Sequence, residues 1–156
     1  MDHFALLLAD LGALIQVPLH PDHHRACCLS VNGELHVQLK EDTNKDRILV
    51  AAFIAETPAG KFRENIFKET LKENNLFPRI GSFSYSERNN QLAFFSYVYF
   101  EGLDGNKMAD FLEKFFEKAF SWKTALQTGQ LPDRGQTLHK IGPSIFDIQR
   151  PPKEIV

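Results

Sequence analysis

Cysteine is scarce, and its placement says as much as its number. The 156-residue chain holds two, Cys27 and Cys28. Neighbours in sequence cannot staple distant segments, and a disulfide between them is strained. This usage excludes a disulfide-stapled secreted domain and predicts a reducing compartment, with both residues on one strand, one facing in and one facing out. A charge excess is also missing. The 18 Lys and Arg against 20 Asp and Glu leave a net charge of −2, which argues against a nucleic-acid groove or a polybasic membrane surface. No window approaches the roughly 18 apolar residues of a membrane span. The opening MDHFALLLADLGALI lacks a basic n-region and carries Asp2 and Asp10, so it predicts the amphipathic helix of a cytoplasmic protein.

Catalytic signatures are missing as well. There is no GxSxG, no phosphate-cradling glycine loop, no HExxH, and no cysteine with an evident histidine partner. His20, His23 and His24 share the loop LHPDHHR but lack a further Cys, Asp or Glu at a recognised ligand spacing, so no metal is predicted. Glu34, Glu41 and Asp46 fall in or beside loops and read as solvated carboxylates, not as an acid and base pair. The expectation is a protein with no enzymatic activity, no cofactor and no metal.

What the sequence does have is one long helical pattern, NKMADFLEKFFEKAFSWKTALQTGQL, at 106–131. Met108, Leu112, Phe115, Ala119, Trp122 and Leu126 recur at steps of four and three, on one stripe, with Phe111, Phe116 and Phe120 widening it. Asp104 or Asn106 is placed to cap its start and Gly129 its end. Each large side chain buried there stabilises by roughly 1.5 to 3 kcal/mol, so the helix needs a broad apolar partner, which is a sheet.

The rest of the chain supplies one. A helix at 2–16 presents Phe4, Leu7, Leu8, Leu11, Leu14 and Ile15 and stops before Pro18. ACCLSVNGELHVQLKE predicts a hairpin about Asn32-Gly33. Of its two registers, a three-residue loop at 31–33 gives one apolar face, setting Leu35 against Leu29 and Val37 against Cys27. RILVAAFIAE at 47–56 is apolar on both faces, as the centre of a sheet is. Thr57-Pro58 reads as a cap with Pro at the first helical position, opening a helix to about residue 74 with Phe62, Ile66, Phe67 and Leu71 inward. A second hairpin turns at Arg88, Asn89 and Asn90. Its return strand puts Leu92, Phe94, Ser96, Val98 and Phe100 on one face and Ala93, Phe95, Tyr97 and Tyr99 on the other. One face covers this molecule's helices. The other leaves Phe95, Tyr97 and Tyr99 in water unless a second copy covers them.

Size and order together predict one domain at 1–131 and a proline-rich tail at 132–156, where Pro132, Pro143, Pro151 and Pro152 forbid a long element. Ile141, Ile145, Phe146 and Ile148 are more apolar than a linker needs and predict partial docking of that tail, with a disordered tail as the alternative. The order helix, three strands, helix, two strands, helix gives an α+β class, α-β-β-β-α-β-β-α, with a twisted, mainly antiparallel sheet packed by helices.

This order, with the amphipathic N-terminal helix, the CLSVNGELHVQL hairpin, the RILVAAFIAE strand and the closing FLEKFFEKAFSWKTALQTG helix, resembles the type III secretion chaperones of the Tir-chaperone (CesT-like) class over 2–131. The tail is longer than that fold needs. The resemblance implies a cytoplasmic, bacterial, virulence-associated chaperone that binds the N-terminal segment of a secreted effector or regulator without ATP. It further implies a homodimer, or a heterodimer with a sister chaperone, through the second helix and second hairpin, which adds Phe67 to Phe95, Tyr97 and Tyr99. With that face assigned to a dimer and the long helix satisfied by the sheet, elimination leaves the first helix and hairpin for cargo, with Leu14, Ile15, Leu29, Leu35, Val37 and Leu39 as its rim. The alternative is a small-molecule-binding or enzymatic α+β domain with a pocket between the long helix and the sheet.

Overall fold

The computed structural model describes residues 2–77, 79–132 and 148–149. Among these the elements run α1 (His3–Ile15), β1 (Ala26–Val31), β2 (Leu35–Asp42), β3 (Arg47–Glu56), α2 (Lys61–Asn74), β4 (Ser82–Ser86), β5 (Gln91–Tyr99), α3 (Gly105–Thr128) and β6 (Ile148–Gln149). The six strands form one sheet in the order β4-β5-β3-β2-β1-β6. Each neighbouring pair is antiparallel. The α+β class predicted from the element order holds. The tail contributes one strand more than the prediction counted. Of its apolar residues Ile148 is in place on the sheet, while Ile141, Ile145 and Phe146 lie outside the described residues.

The core lies on one face of the sheet. Leu29, Val37, Ala52, Phe94 and Phe83 form a continuous row across β1, β2, β3, β5 and β4, and all five are buried. Against it α3 lays Met108, Leu112, Phe115, Ala119, Trp122 and Leu126, all buried. Phe94 stacks on Phe115 with centroids 4.8 Å apart, and Phe83 sits 4.8 Å from Trp122 and 4.7 Å from Phe94. Contacts of this kind add roughly 0.5 to 1.5 kcal/mol beyond area burial. The helix is closed at both ends: the Asp104 carboxylate accepts from the Lys107 N–H, and Gly129, at φ 74°, donates to the Ala125 carbonyl. Gly105 lets α3 approach α1. A Cβ there would stand 2.9 Å from that of Asp10.

Three local expectations need correction. Leu35 pairs with Val31, not Leu29, and Val37 pairs with Leu29, not Cys27. Asn32 and Gly33 both take left-handed φ, 54° and 69°, and turn the chain directly after Val31, whose carbonyl accepts from the Glu34 N–H. The loop is therefore 32–34. The slip is by two residues, so the same side chains still face the core. Thr57 does not cap α2, which starts at Lys61. Its buried hydroxyl instead donates to Asn90 Oδ1 at 3.1 Å, and its carbonyl accepts from Arg63 and from the Asn90 amide. Leu71 points outward and is 66% exposed, because Ile66 and Thr70 form the buried stripe of α2.

The first helix is pinned at its start. The Asp2 carboxylate accepts from the Ala5 N–H and from the Arg25 guanidinium at 2.6 Å, and Arg25 also reaches Glu41 at 2.9 Å. The Arg25 hydrogen bond and the Ala5 N–H hold the Asp2 carboxyl at about 2, below its ordinary 3.8. A folded-state value below the unfolded one adds stability that is present above the unfolded value and lost as pH falls toward the folded one. Thermal unfolding between pH 4 and pH 2 should therefore fall more steeply for the wild type than for Asp2→Asn. Parallel curves would show that the Asp2 to Arg25 contact does not anchor α1.

Candidate functional site

Among the described residues nothing packs over the face of the sheet away from α3, and its middle is apolar. Across β3 and β5, Leu49 pairs with Tyr97, Ala51 with Phe95 and Phe53 with Ala93. Phe53 is 54%, Tyr97 42% and Tyr99 55% exposed. Phe95 meets Tyr97 edge to face at 6.1 Å. Polar side chains border the strip, with exposed His36, Gln38 and Lys40 on β2 and Ser82, Ser84 and Ser86 on β4. At one end the Arg47 guanidinium lies 3.6 Å over the Tyr97 ring, donates to the Tyr99 hydroxyl and is held by Asp42 at 2.8 Å. That hydrogen bond lowers the Asp42 carboxyl and raises Arg47, so the stacked cation stays charged.

The two ends of the sheet are finished differently. On β4, the Asn74 side chain donates to the Phe83 carbonyl and accepts from the Phe83 N–H, at 3.0 and 2.8 Å, closing that edge like a neighbouring strand. On β1 the odd-numbered residues exchange main-chain hydrogen bonds with β2, as the Glu41 N–H to Arg25 carbonyl bond at its start shows. Ala26, Cys28 and Ser30 therefore turn their main-chain groups outward. Ala26 is met by Asp22, whose N–H donates to its carbonyl and whose carboxylate accepts from its N–H. Ser30 is met by Gln149 of β6. Cys28 lies between these two occupied positions. Its side chain is exposed, and burial of its surroundings pushes the thiol up, while Cys27 faces the core.

The residues predicted for cargo are not brought together. Leu29, Leu35, Val37 and Leu39 are at most 1% exposed and belong to the core cluster with α1 and α3, so they form no rim. The elimination treated the inner face of the first hairpin as surplus, but one core spans the whole inner face. Leu14 is 49% exposed and Ile15 is partly buried. Of the predicted dimer residues, Phe95, Tyr97 and Tyr99 share the outer face. Phe67 is on the other side, 5.0 Å from the ring of Tyr85, which pairs with the inward Leu92. Sequence reasoning missed Arg47, Leu49, Ala51 and Phe53. The signal is there in a strand apolar on both faces, which marks the interior of the sheet, where β3 lies, but does not say which face stays uncovered. The space between α3 and the sheet, where a small-molecule pocket was placed as the alternative, is filled by Phe83, Phe94, Phe115, Phe116 and Trp122.

The family model described as Tir chaperone protein (CesT) family matches residues 6–123. Comparison with curated proteins gives no match. Among solved structures, a chain of the HopA1-SchA chaperone-effector complex superposes with a TM-score of 0.68 at 17% identity, covering 79% of this chain and 94% of that one. A chain of the ExsC-ExsE complex gives 0.62 at 18%, covering 77% and 90%. A chain of the heterodimeric ExoU-SpcU complex from the type III secretion system of Pseudomonas aeruginosa gives 0.61 at 12%, covering 80% and 98%. At these identities the likeness is one of fold.

The placement of the six rim residues has a measurable consequence. Leu35→Glu sets an unpaired carboxylate at a fully buried position. Its cost, several kcal/mol, is comparable with the roughly 5 to 15 kcal/mol that holds a domain together. It should abolish cooperative unfolding. Leu14→Glu, on the exposed side of α1, should change stability by less than about 0.5 kcal/mol. Urea denaturation of the two variants checks this, and equal losses would refute the burial difference.

Proposed function

Because the chain belongs to the Tir chaperone protein (CesT) family, we propose that it is a type III secretion chaperone of the bacterial cytoplasm. It binds the N-terminal segment of a secreted effector or regulator and keeps it soluble and competent for secretion, without ATP. The observation that carries this reading is a filled core beside an uncovered apolar sheet face. A molecule built this way offers surface to another polypeptide, while the space between α3 and the sheet, which a small substrate would need, is filled. No helix among the described residues is long and apolar enough to cross a membrane. The similar folds include one seen in a chaperone-effector complex, which supports an effector as partner.

Two surfaces divide the work in this proposal. The outer face, through Phe95, Tyr97 and Tyr99 with Leu49 and Phe53, takes a second copy. A two-fold interface repeats the same patch on both subunits, and an aromatic strip bordered by polar residues is self-complementary in that way. Cargo engages the first hairpin and α1. Leu14 and Ile15 are the parts of the predicted rim that reach the surface, and the outward main chain of β1 faces the side on which a strand adds, the side where β6 already pairs with Ser30.

Copurification from the protein's own bacterium, followed by deletion of the partner's N-terminal segment, tests the chaperone reading. Loss of the partner with that segment is expected, and binding that survives its deletion would overturn it. For the dimer, sedimentation at micromolar concentration should give two copies for the wild type and one for Phe95→Asp or Tyr97→Glu, since each buries a charge in the interface at a cost of several kcal/mol. A wild-type monomer would refute it. A dimer formed only on coexpression with a sister chaperone would replace the homodimer by a heterodimer.

A further inference from the structure

The sixth strand comes from outside the resemblance to secretion chaperones, and it sits on the edge that the proposed cargo uses. Gln149 pairs with Ser30 and Ile148 with Val31. Ile148 packs partly buried against the core on the inner side, and Gln149 is exposed on the outer side. This is the alternation of an added strand, apolar inward and polar outward. The tail thus already does to the β1 edge what an extended cargo segment would do.

Among the described residues its pairing covers Ser30 and Val31, and chemistry limits an extension past Gln149. The register on β1 runs antiparallel, so continuing it from Gln149 brings residue 151 opposite Cys28. Residue 151 is a proline and the next is another. Proline has no N–H to give the outward carbonyl of Cys28. A cargo strand without proline there can pair with both Ser30 and Cys28. Fifteen residues separate Pro132 from Ile148. Because β6 belongs to the chain whose edge it pairs with, the pairing is intramolecular and needs no second molecule, so a weak strand occupies the edge until a longer one arrives.

We propose that β6 is an intramolecular placeholder on the β1 edge, which closes that edge in the free protein and is displaced by an extended, proline-free cargo strand that pairs with Ser30 and Cys28. This rests on the chaperone reading for the identity of the displacing strand, and not for the placeholder itself. A closed edge also protects an uncomplexed chaperone from edge-to-edge association.

The test uses the full chain. Gln149→Pro removes the N–H that faces Ser30, and Ile148→Asp removes the inward apolar side chain. Amide exchange at Ser30 should speed up by at least about tenfold in both, with thermal unfolding otherwise unchanged, as expected for release of a local contact. A synthetic peptide SIFDIQRPP, the chain's own residues 144–152, should bind each variant at least about tenfold more tightly than the wild type, whose edge is filled by the tethered copy. The peptide SIFDIQRTT should bind more tightly still. Unchanged Ser30 exchange, equal peptide binding by wild type and variants, or no gain on replacing the prolines would overturn the placeholder. These readouts involve no effector, so they stand or fall apart from the chaperone reading. The copurified effector segment then supplies the last arm: it should also bind Gln149→Pro more tightly than wild type, and equal affinity would overturn displacement by cargo.

Discussion

One packing constraint organises this molecule: α3 carries a stripe of aromatic and aliphatic side chains that only a broad sheet face can satisfy. Phe115 on Phe94 and Trp122 on Phe83 tie the helix to the β4 and β5 end of the sheet, while the row from Leu29 to Phe83 makes a single apolar surface beneath it. With α1 brought against α3 at Gly105, one core covers the inner face. The three helices among the described residues are then spent on one side, and none of them covers the outer side of β3 and β5. The bare strip of Leu49, Phe53, Phe95, Tyr97 and Tyr99 follows from that asymmetry.

An open antiparallel sheet also has two edges to manage, and here each is handled with few atoms. Asn74 closes β4 at Phe83 through one side-chain amide. Asp22 closes the start of β1, and two residues of the tail close its end. The contrast is functional. An asparagine on a packed helix stays where it is, whereas a strand added at an edge can be exchanged for another. The edge of β1 is therefore the one suited to exchange between the chain's own segment and another.

Polar contacts decide details that hydrophobic pattern leaves open. Asn90, at φ 55° in its turn, gathers Thr57, Arg63 and Tyr85 around one side chain and so sets where β3 ends and α2 begins. Arg25 joins Asp2 to Glu41 and fixes the entry of α1 against the first hairpin. Arg47 lies over Tyr97 and makes the end of the aromatic strip polar. Apart from Tyr85 and Asn90, which are five residues apart, each contact joins residues at least 16 apart, and none has a spacing that announces it.

The sequence by itself determined the elements from α1 to α3, the α+β class and the family, because helical and strand periodicity are local properties and burial on one stripe needs no knowledge of the partner. It also determined which side chains of the first hairpin share a face: a two-residue slip left Leu35 and Val37 on the same one. What only the tertiary structure decided was which apolar residues remain at the surface. Leu29, Leu35, Val37 and Leu39 look no different in sequence from Leu49 and Phe53, yet the first four are in the core and the last two look outward. Hydrophobicity states that a side chain prefers cover. Whether cover comes from this chain or from another depends on where α1, α3 and the tail lie in space, and that is set by long-range packing which no local pattern encodes.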